Sequence, residues 1–81
     1  MHKSISIKVK KDSEKSIRTT IDVSYGDAIA EYKVREIGNL MTSLNPDAIV
    51  EVSFLVHNSI SNTWMEMFSY YADENKLVKF T

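Results

Sequence analysis

The chain has 81 residues and a formal net charge of −1, so it carries no global electrostatic signature of a nucleic-acid or membrane partner. This length predicts a single domain, residues 1–81, whose small core is marginally stable, which favours oligomerisation. The absence of cysteine excludes disulfides and thiolate metal sites and favours the cytoplasm, and the absence of a long apolar run argues against a signal peptide or a membrane span.

The first predicted element is an antiparallel hairpin over residues 3–24. Apolar and polar residues alternate up to position 10, a polar run at 11–15 interrupts them, and the alternation then resumes. Period-two alternation is typical of half-buried strands. The residues predicted to face the core are Ile5, Ile7, Val9, Ile17, Thr19, Ile21 and Val23.

Charge is unevenly distributed along the chain. Residues 1–20 carry six basic side chains and two carboxylates, a balance of +4, whereas residues 21–81 balance at −5. The favoured interpretation is a solvated hairpin whose lysines keep an edge strand from pairing with other chains. A dedicated nucleic-acid surface is the alternative, and it is less favoured because arginine is scarce and basic residues do not alternate with aromatic ones.

The segment from Ser24 to Leu44 has the periodicity of an amphipathic helix. Its apolar face is predicted to comprise Ala30, Val34, Ile37, Met41 and Leu44. Ser24 and Asp27 are spaced like a capping box, although Asp27 itself is an alternative N-cap.

Three further features of this helix predict its surroundings. Gly38 lies on the apolar face, where glycine costs about 1 kcal/mol relative to alanine, so we expect the helix to approach a sheet closely there. Glu31 and Arg35 are four residues apart in the order that favours an exposed ion pair. Pro46 should end the helix, because proline disfavours helical backbone before it and cannot continue the hydrogen-bond ladder.

Two strands and a short third one are predicted after the helix. Val50, Val52, Phe54 and Val56 alternate with mostly polar residues, and a turn is predicted at 57–62. The next run, Thr63–Tyr71, has Trp64, Phe68 and Tyr70 on one side and Met65, Met67 and Tyr71 on the other. Trp64, Met67, Phe68 and Tyr71 also have helical spacing, but the run is short and aromatic and leads through 72–76 into residues 77–80, which favours a strand hairpin.

The element order is therefore ββαβββ. It predicts an α+β fold in which one helix packs on a mainly antiparallel five-stranded sheet.

No set of residues carries recognisable catalytic chemistry. His57 is followed by Ser59 and Ser61 and is a hypothetical general base, but nothing forces a nucleophile, a base and a carboxylate to converge, so a solvent-exposed turn histidine is favoured. Two distant histidines and scattered carboxylates do not suggest a metal site, and neither glycine lies in a phosphate-binding pattern. We therefore expect no catalytic residue, no cofactor and no enzymatic activity.

The strand at Thr63–Tyr71 is apolar on both sides, and one helix covers only one face of a sheet, so a partner should cover the other. The predicted protein interface comprises Leu55, Trp64, Met65, Met67, Phe68, Tyr70 and Tyr71. The leading hypothesis is a small non-catalytic interaction protein, homodimeric or bound to another protein, of the accessory or inhibitor type that bacteria and their phages encode.

The competing hypothesis is single-stranded nucleic-acid binding. In it, Trp64, Phe68 and Tyr70 would stack on bases. The predicted phosphate contacts are Lys8, Lys10, Lys11, Lys15 and Arg18. This hypothesis requires the aromatic and basic groups to share one surface.

Overall fold

The computed structural model describes residues 2–11 and 15–80. The strands are β1 (Lys3–Lys11), β2 (Ile17–Val23), β3 (Ala48–Asn58), β4 (Thr63–Tyr71) and β5 (Lys76–Lys79), and helix α1 (Asp27–Leu44) lies between β2 and β3. They form one five-stranded sheet in the order β2-β1-β3-β4-β5, with every neighbouring pair antiparallel. The predicted α+β fold and element order are confirmed. Part of the predicted hairpin turn, residues 12–14, lies outside the described residues.

The central strand of the sheet is β3. Val50, Val52 and Phe54 are fully buried, and β1 pairs Val9, Ile7 and Ile5 with these three residues in turn. Because β2 and β3 both run antiparallel to β1, they run in the same direction, and α1 is the crossover that joins them.

The helix begins without a side-chain cap. Gly26 is the N-cap residue, in extended backbone geometry, and its carbonyl accepts a hydrogen bond of 2.9 Å from the Ala30 amide. Both predicted caps, the Ser24–Asp27 capping box and Asp27 itself, are therefore wrong. Asp27 instead lies in the first turn, where its carboxylate interacts favourably with the positive end of the helix dipole. At the other end α1 stops at Leu44, as Pro46 predicts.

The buried stripe of α1 is narrower than predicted. Ala30, Val34 and Gly38 are buried, and Ile37 and Met41 pack half-buried against the core. Leu44 is wrong as a core residue, because it is 67% exposed. At about 100° per residue it lies roughly 80° round the helix from Val34, on a flank that the sheet does not reach.

The helix contacts the sheet most closely at Gly38. A Cβ built on Gly38 would lie 2.6 Å from Tyr70 Cδ2 and 3.3 Å from Ala72 Cβ, so only glycine fits there. The predicted close approach is confirmed. The Tyr70 hydroxyl lies 2.7 Å from Asn39 Oδ1 on the helix and 2.8 Å from Asn75 Oδ1 beyond β4, which fixes the ring.

Glu31 and Arg35 do not form the predicted pair with each other. Glu31 forms an ion pair of 3.4 Å with Lys79 on β5, and the Arg35 guanidinium lies 5.4 Å from the centre of the Tyr70 ring. Both side chains therefore hold α1 over the C-terminal strands, because each finds a closer partner on the sheet than on the helix.

A β-bulge changes which side chains share a face of β4. Phe54 pairs with Phe68, but Leu55 pairs with Glu66, so Met67 is an extra residue in the ladder. The strand assignment of Thr63–Tyr71 is confirmed, whereas the predicted division of its side chains is wrong. Met65, Phe68 and Tyr70 lie on the helix side, and Trp64, Glu66, Ser69 and Tyr71 lie on the opposite side.

Replacement of Gly38 by alanine should destabilise the fold. Although alanine favours helix formation, its methyl group would overlap the fixed Tyr70 ring, so we expect Gly38→Ala to lower the free energy of unfolding by about 1–3 kcal/mol. Urea unfolding followed by circular dichroism measures this change.

The matched control is Ser43→Ala, at an exposed position of the same helix. It should leave the urea midpoint unchanged or raise it slightly. A Gly38→Ala midpoint at or above that of the unsubstituted protein would show that α1 does not depend on this close approach.

Candidate interaction surface

The helix covers only part of its face of the sheet. An α-helix is about 10 Å wide, whereas strands are spaced about 4.8 Å apart, so one helix spans about two strands. The contacts of Gly38, Glu31 and Arg35 place α1 over the C-terminal half of the sheet. On the inward face of the β1–β2 hairpin, Ile5 is still buried, but the face is open towards β2, where Ile17 and Ile21 are 68% and 44% exposed.

A groove lies between this open face and the C-terminal half of α1. Its volume is about 370 Å³. The described residues that line it are Ile7, Val9, Lys11, Lys15, Ile17, Thr19, Met41 and Asn45. The floor is aliphatic because alternate residues of both hairpin strands point to the helix side. Two lysines line the groove beside the turn of the hairpin, and no carboxylate belongs to its described lining.

The flank of α1 above the groove extends the apolar surface. Ile37, Leu40 and Leu44 follow the spacing of three and four residues that defines one helical stripe. This flank is opposite the one that carries Glu31 and Arg35, so it faces the hairpin rather than β4 and β5. Leu40 and Leu44 are both exposed, and they flank Met41, which lines the groove.

The predicted interface on β3 and β4 is divided by the structure. Phe68 and Tyr70 are 4% and 1% exposed and belong to the core beneath α1. Leu55, Met67 and Tyr71 are half-buried. Only Trp64 and Met65 are well exposed, and they lie on opposite faces. The extra residue at Met67 places Trp64 on the face opposite to Phe68 and Tyr70, which separates the predicted aromatic set.

The face of the sheet without a helix is closed by small polar side chains. Ser4, Ser6, Ser53 and Ser69 are all buried there. The hydroxyls of Ser53 and Ser69 lie 2.7 Å apart, and both are hydrogen-bonded to Glu66 Oε1. The second side of β4 is therefore only partly apolar, because Trp64 and Tyr71 share it with Glu66 and Ser69, whose polar groups are hydrogen-bonded to each other.

The five basic residues predicted to bind phosphate are split between two faces. Lys11 and Lys15 line the groove, whereas Lys8 and Arg18 pair across the hairpin on the serine-lined face, which also carries Lys10. Trp64 lies on the same face as Lys8, opposite His57 of β3, whereas Lys8 lies opposite Glu51 of β3. His57 and Glu51 are six residues apart, which corresponds to about 20 Å along the strand. The aromatic and basic groups therefore do not form one cluster.

His57 is not a turn residue. It lies in β3, half-buried, with its ring 5.1 Å from the Trp64 ring and 6.3 Å from that of His2, measured between centroids. Its Nε2 atom is 3.2 Å from Asn62 Oδ1. The prediction of an exposed turn histidine is wrong because β3 continues to Asn58 and the turn begins only after it. The His57 amide also donates to the His2 carbonyl at 2.8 Å, which attaches the N-terminus to the sheet.

The groove residues on β2 were expected in the core. Alternation correctly placed Ile17, Thr19 and Ile21 on one face, but alternation does not say how far a helix reaches across that face. The order of elements already indicated that part of this face would be exposed, since one helix cannot cover five strands.

No family model, curated protein or solved structure matches the chain. Within residues 2–11 and 15–80, no group of three or more histidine and carboxylate side chains could hold a metal ion. No helix in that part of the chain is long and apolar enough to cross a membrane.

The pH dependence of stability tests the surroundings of Tyr71 on the face of the sheet without a helix. Burial raises the pKa of Tyr71, and the neighbouring carboxylates Glu51, Glu66 and Glu74 raise this pKa further. Because the folded state favours the protonated phenol, its contribution to stability is complete below about pH 10 and is lost as pH rises through the folded pKa. We expect Tyr71→Phe to show a smaller loss of stability above about pH 10 than the unsubstituted protein, by urea unfolding at stepped pH.

Tyr32→Phe, at an exposed position on α1, is the matched control. Equal alkaline loss in the Tyr71→Phe and unsubstituted proteins would show that the phenol is not held among these carboxylates.

Proposed function

We propose that the protein is a small non-catalytic interaction module, a homodimer, that binds a segment of another protein as an accessory or inhibitor subunit. We infer that it acts in the cytoplasm and is of the kind that bacteria and their phages encode. The observation that supports binding is the open apolar face of the hairpin, where Ile17 and Ile21 lie exposed beside the half-buried Ile7, Val9 and Met41. Monomeric proteins rarely leave large contiguous apolar patches in water.

The lining of the groove supports an acidic amphipathic segment as its occupant. Aliphatic side chains form the floor, and Lys11 and Lys15 are the only titratable groups in the described lining. A segment with leucine-like residues on one side and carboxylates on the other would bury the first against the floor and pair the second with the lysines.

Single-stranded nucleic acid is supported less well. Trp64 is available for stacking, but Phe68 and Tyr70 are in the core, and on the face of Trp64 the carboxylate of Glu66 lies two residues away while Glu51 lies opposite Lys8. Carboxylates at these positions would repel phosphates. The groove, by contrast, combines apolar and basic character in one place.

A pair of labelled peptides tests this proposal. They share one pattern of leucine positions, and their polar positions are all glutamate in one peptide and all lysine in the other. We expect the glutamate peptide to bind at least about ten-fold more tightly, with an affinity that falls as salt rises, because only it complements Lys11 and Lys15. Fluorescence anisotropy measures both affinities.

Two isoleucine variants locate the site. Ile17→Lys places a charge on the floor of the groove and should abolish binding. Ile49→Lys makes the same change at a similarly exposed strand position, 57% against 68%, on the opposite face of the sheet and should bind normally. Equal affinity for both peptides, or normal binding by a folded Ile17→Lys protein, would contradict the proposal. Sub-micromolar binding of a single-stranded oligonucleotide in place of the peptides would favour the nucleic-acid hypothesis.

A further inference from the structure

The outer edge of β2 is an open strand edge. The strand order places β2 at one end of the sheet, and its seven residues, Ile17–Val23, include no glycine, proline or lysine. Five of the seven are β-branched, the type that favours extended pairing. The hairpin lysines were expected to protect this edge, but Lys3, Lys8, Lys10 and Lys11 belong to β1, which is an internal strand.

The other edge strand shows the contrast. β5 has only four residues, and lysines occupy both of its ends, Lys76 and Lys79. Short length and lysine are two common ways in which proteins prevent edge strands from pairing with other chains. One edge of the sheet is therefore protected, whereas the longer edge presents free backbone donors and acceptors.

The sequence of β2 is complementary to itself when it runs antiparallel. If Thr20 is opposite Thr20 of a second copy, all seven residues of each strand are paired. Arg18 is then opposite the second copy's Asp22, and the converse pair repeats on the other side of the two-fold axis. On the helix face, Ile17 is opposite Val23 and Thr19 is opposite Ile21. Opposite charges directly across a ladder are favourable, as are pairs of β-branched residues.

We propose that two copies of the chain pair edge to edge through β2 about a two-fold axis at Thr20, with Arg18 of each copy bound to the other copy's Asp22. This inference rests on the proposed function, since it specifies the interface of the proposed homodimer. Within one copy, neither Arg18 nor Asp22 forms an ion pair among the described residues. Arg18 donates through Nε to Ser6 Oγ at 2.9 Å, and its other guanidinium N–H groups remain for a carboxylate.

Edge pairing about an axis perpendicular to the sheet has a consequence for the groove. Two five-stranded sheets become one sheet of ten strands, with both helices on the same side. The two open hairpin faces become neighbours, so the two grooves join into a single trough bounded by the two helices. The backbone ladder and the apolar pairs hold the copies together, while the two charge pairs select this register over its shifted alternatives.

Charge reversal tests the register. Arg18→Glu alone and Asp22→Arg alone each create two like-charge contacts at the two-fold axis, so each variant should dimerise at least roughly ten-fold more weakly than the unsubstituted protein. Light scattering over a dilution series from about 50 μM should report about twice the monomer mass for the unsubstituted protein at the highest concentration and a dimer dissociation constant at least roughly ten-fold higher for each variant. Circular dichroism of both variants checks that each is folded.

Mixing the two variants supplies the decisive comparison. In a mixed pair, the carboxylate introduced by Arg18→Glu is opposite the guanidinium introduced by Asp22→Arg, and the native Asp22 is opposite the native Arg18. An equimolar mixture should therefore regain the dimer mass, and so should the double variant. A surface elsewhere on the molecule would not give this reciprocal rescue.

Cysteine crosslinking gives a second, geometric measurement. The chain contains no cysteine, so a single introduced thiol reports only on its own position. Opposed residues in an antiparallel ladder have Cα atoms about 4.5–5.5 Å apart, within disulfide range. Thr20→Cys should form a covalent dimer under mild oxidation. Thr19→Cys, the adjacent exposed control, is displaced from its own symmetry mate and should remain largely uncrosslinked.

Three results would overturn the inference. They are a monomeric unsubstituted protein at about 50 μM, an unchanged dimer dissociation constant in folded Arg18→Glu, and a mixture of the two variants that associates no more tightly than either variant alone. The glutamate-peptide assay on Arg18→Glu, at a concentration where this variant is monomeric, distinguishes failure of the edge interface from failure of the proposed function. Peptide binding without dimerisation would refute only the edge interface, whereas dimerisation without peptide binding would refute only the groove.

Discussion

The contact between Gly38 and Tyr70 determines where the only described helix lies. Because residue 38 has no side chain, α1 rests directly on the Tyr70 ring, and a methyl group would already be too close at 2.6 Å. Arg35 over the ring, the Tyr70 hydroxyl beside Asn39 and the ion pair from Glu31 to Lys79 all act in the same direction. Together they fix the helix over the C-terminal strands. The cost of a helical glycine is offset by this packing.

That position of the helix divides the sheet into two regions of different character. Beneath α1, the side chains of β3 and β4 form a closed core around Phe54, Phe68 and Tyr70, with the two phenylalanine rings stacked 5.3 Å apart. Beyond it, the hairpin of β1 and β2 has the same alternating apolar pattern, but its cover decreases from the buried Ile5 on β1 to the exposed Ile17 and Ile21 on β2. The opposite face needs no helix, because its centre carries small serines whose hydroxyls bind Arg18 and Glu66. Exposed apolar side chains therefore border the groove on two sides, from the hairpin and from the adjacent flank of α1.

The groove and the open edge of β2 are consequences of this single arrangement. A chain of 81 residues buries only a small core, so surface that can be covered by a second molecule adds to a modest stability. Edge pairing of two copies would use the backbone of β2 and the contacts between opposed side chains, whereas occupation of the joined groove would use the surface of the helix-side side chains that this pairing leaves open. The two proposals can therefore act together, since a dimer would present a wider apolar trough than a monomer.

Local patterns in the sequence were sufficient for the elements, because alternation, helical periodicity and Pro46 act over a few residues each. Gly38 also predicted a close approach, since glycine on the apolar face weakens a helix unless a neighbouring element packs where a side chain would lie. The sequence did not determine the face of each β4 side chain, because the bulge at Met67 arises from pairing with β3. Nor did it locate the exposed apolar surface. Ile17 and Phe68 look equally apolar in the sequence, and only the tertiary position of α1, set by contacts some thirty residues apart such as Asn39 with Tyr70, covers one and leaves the other open.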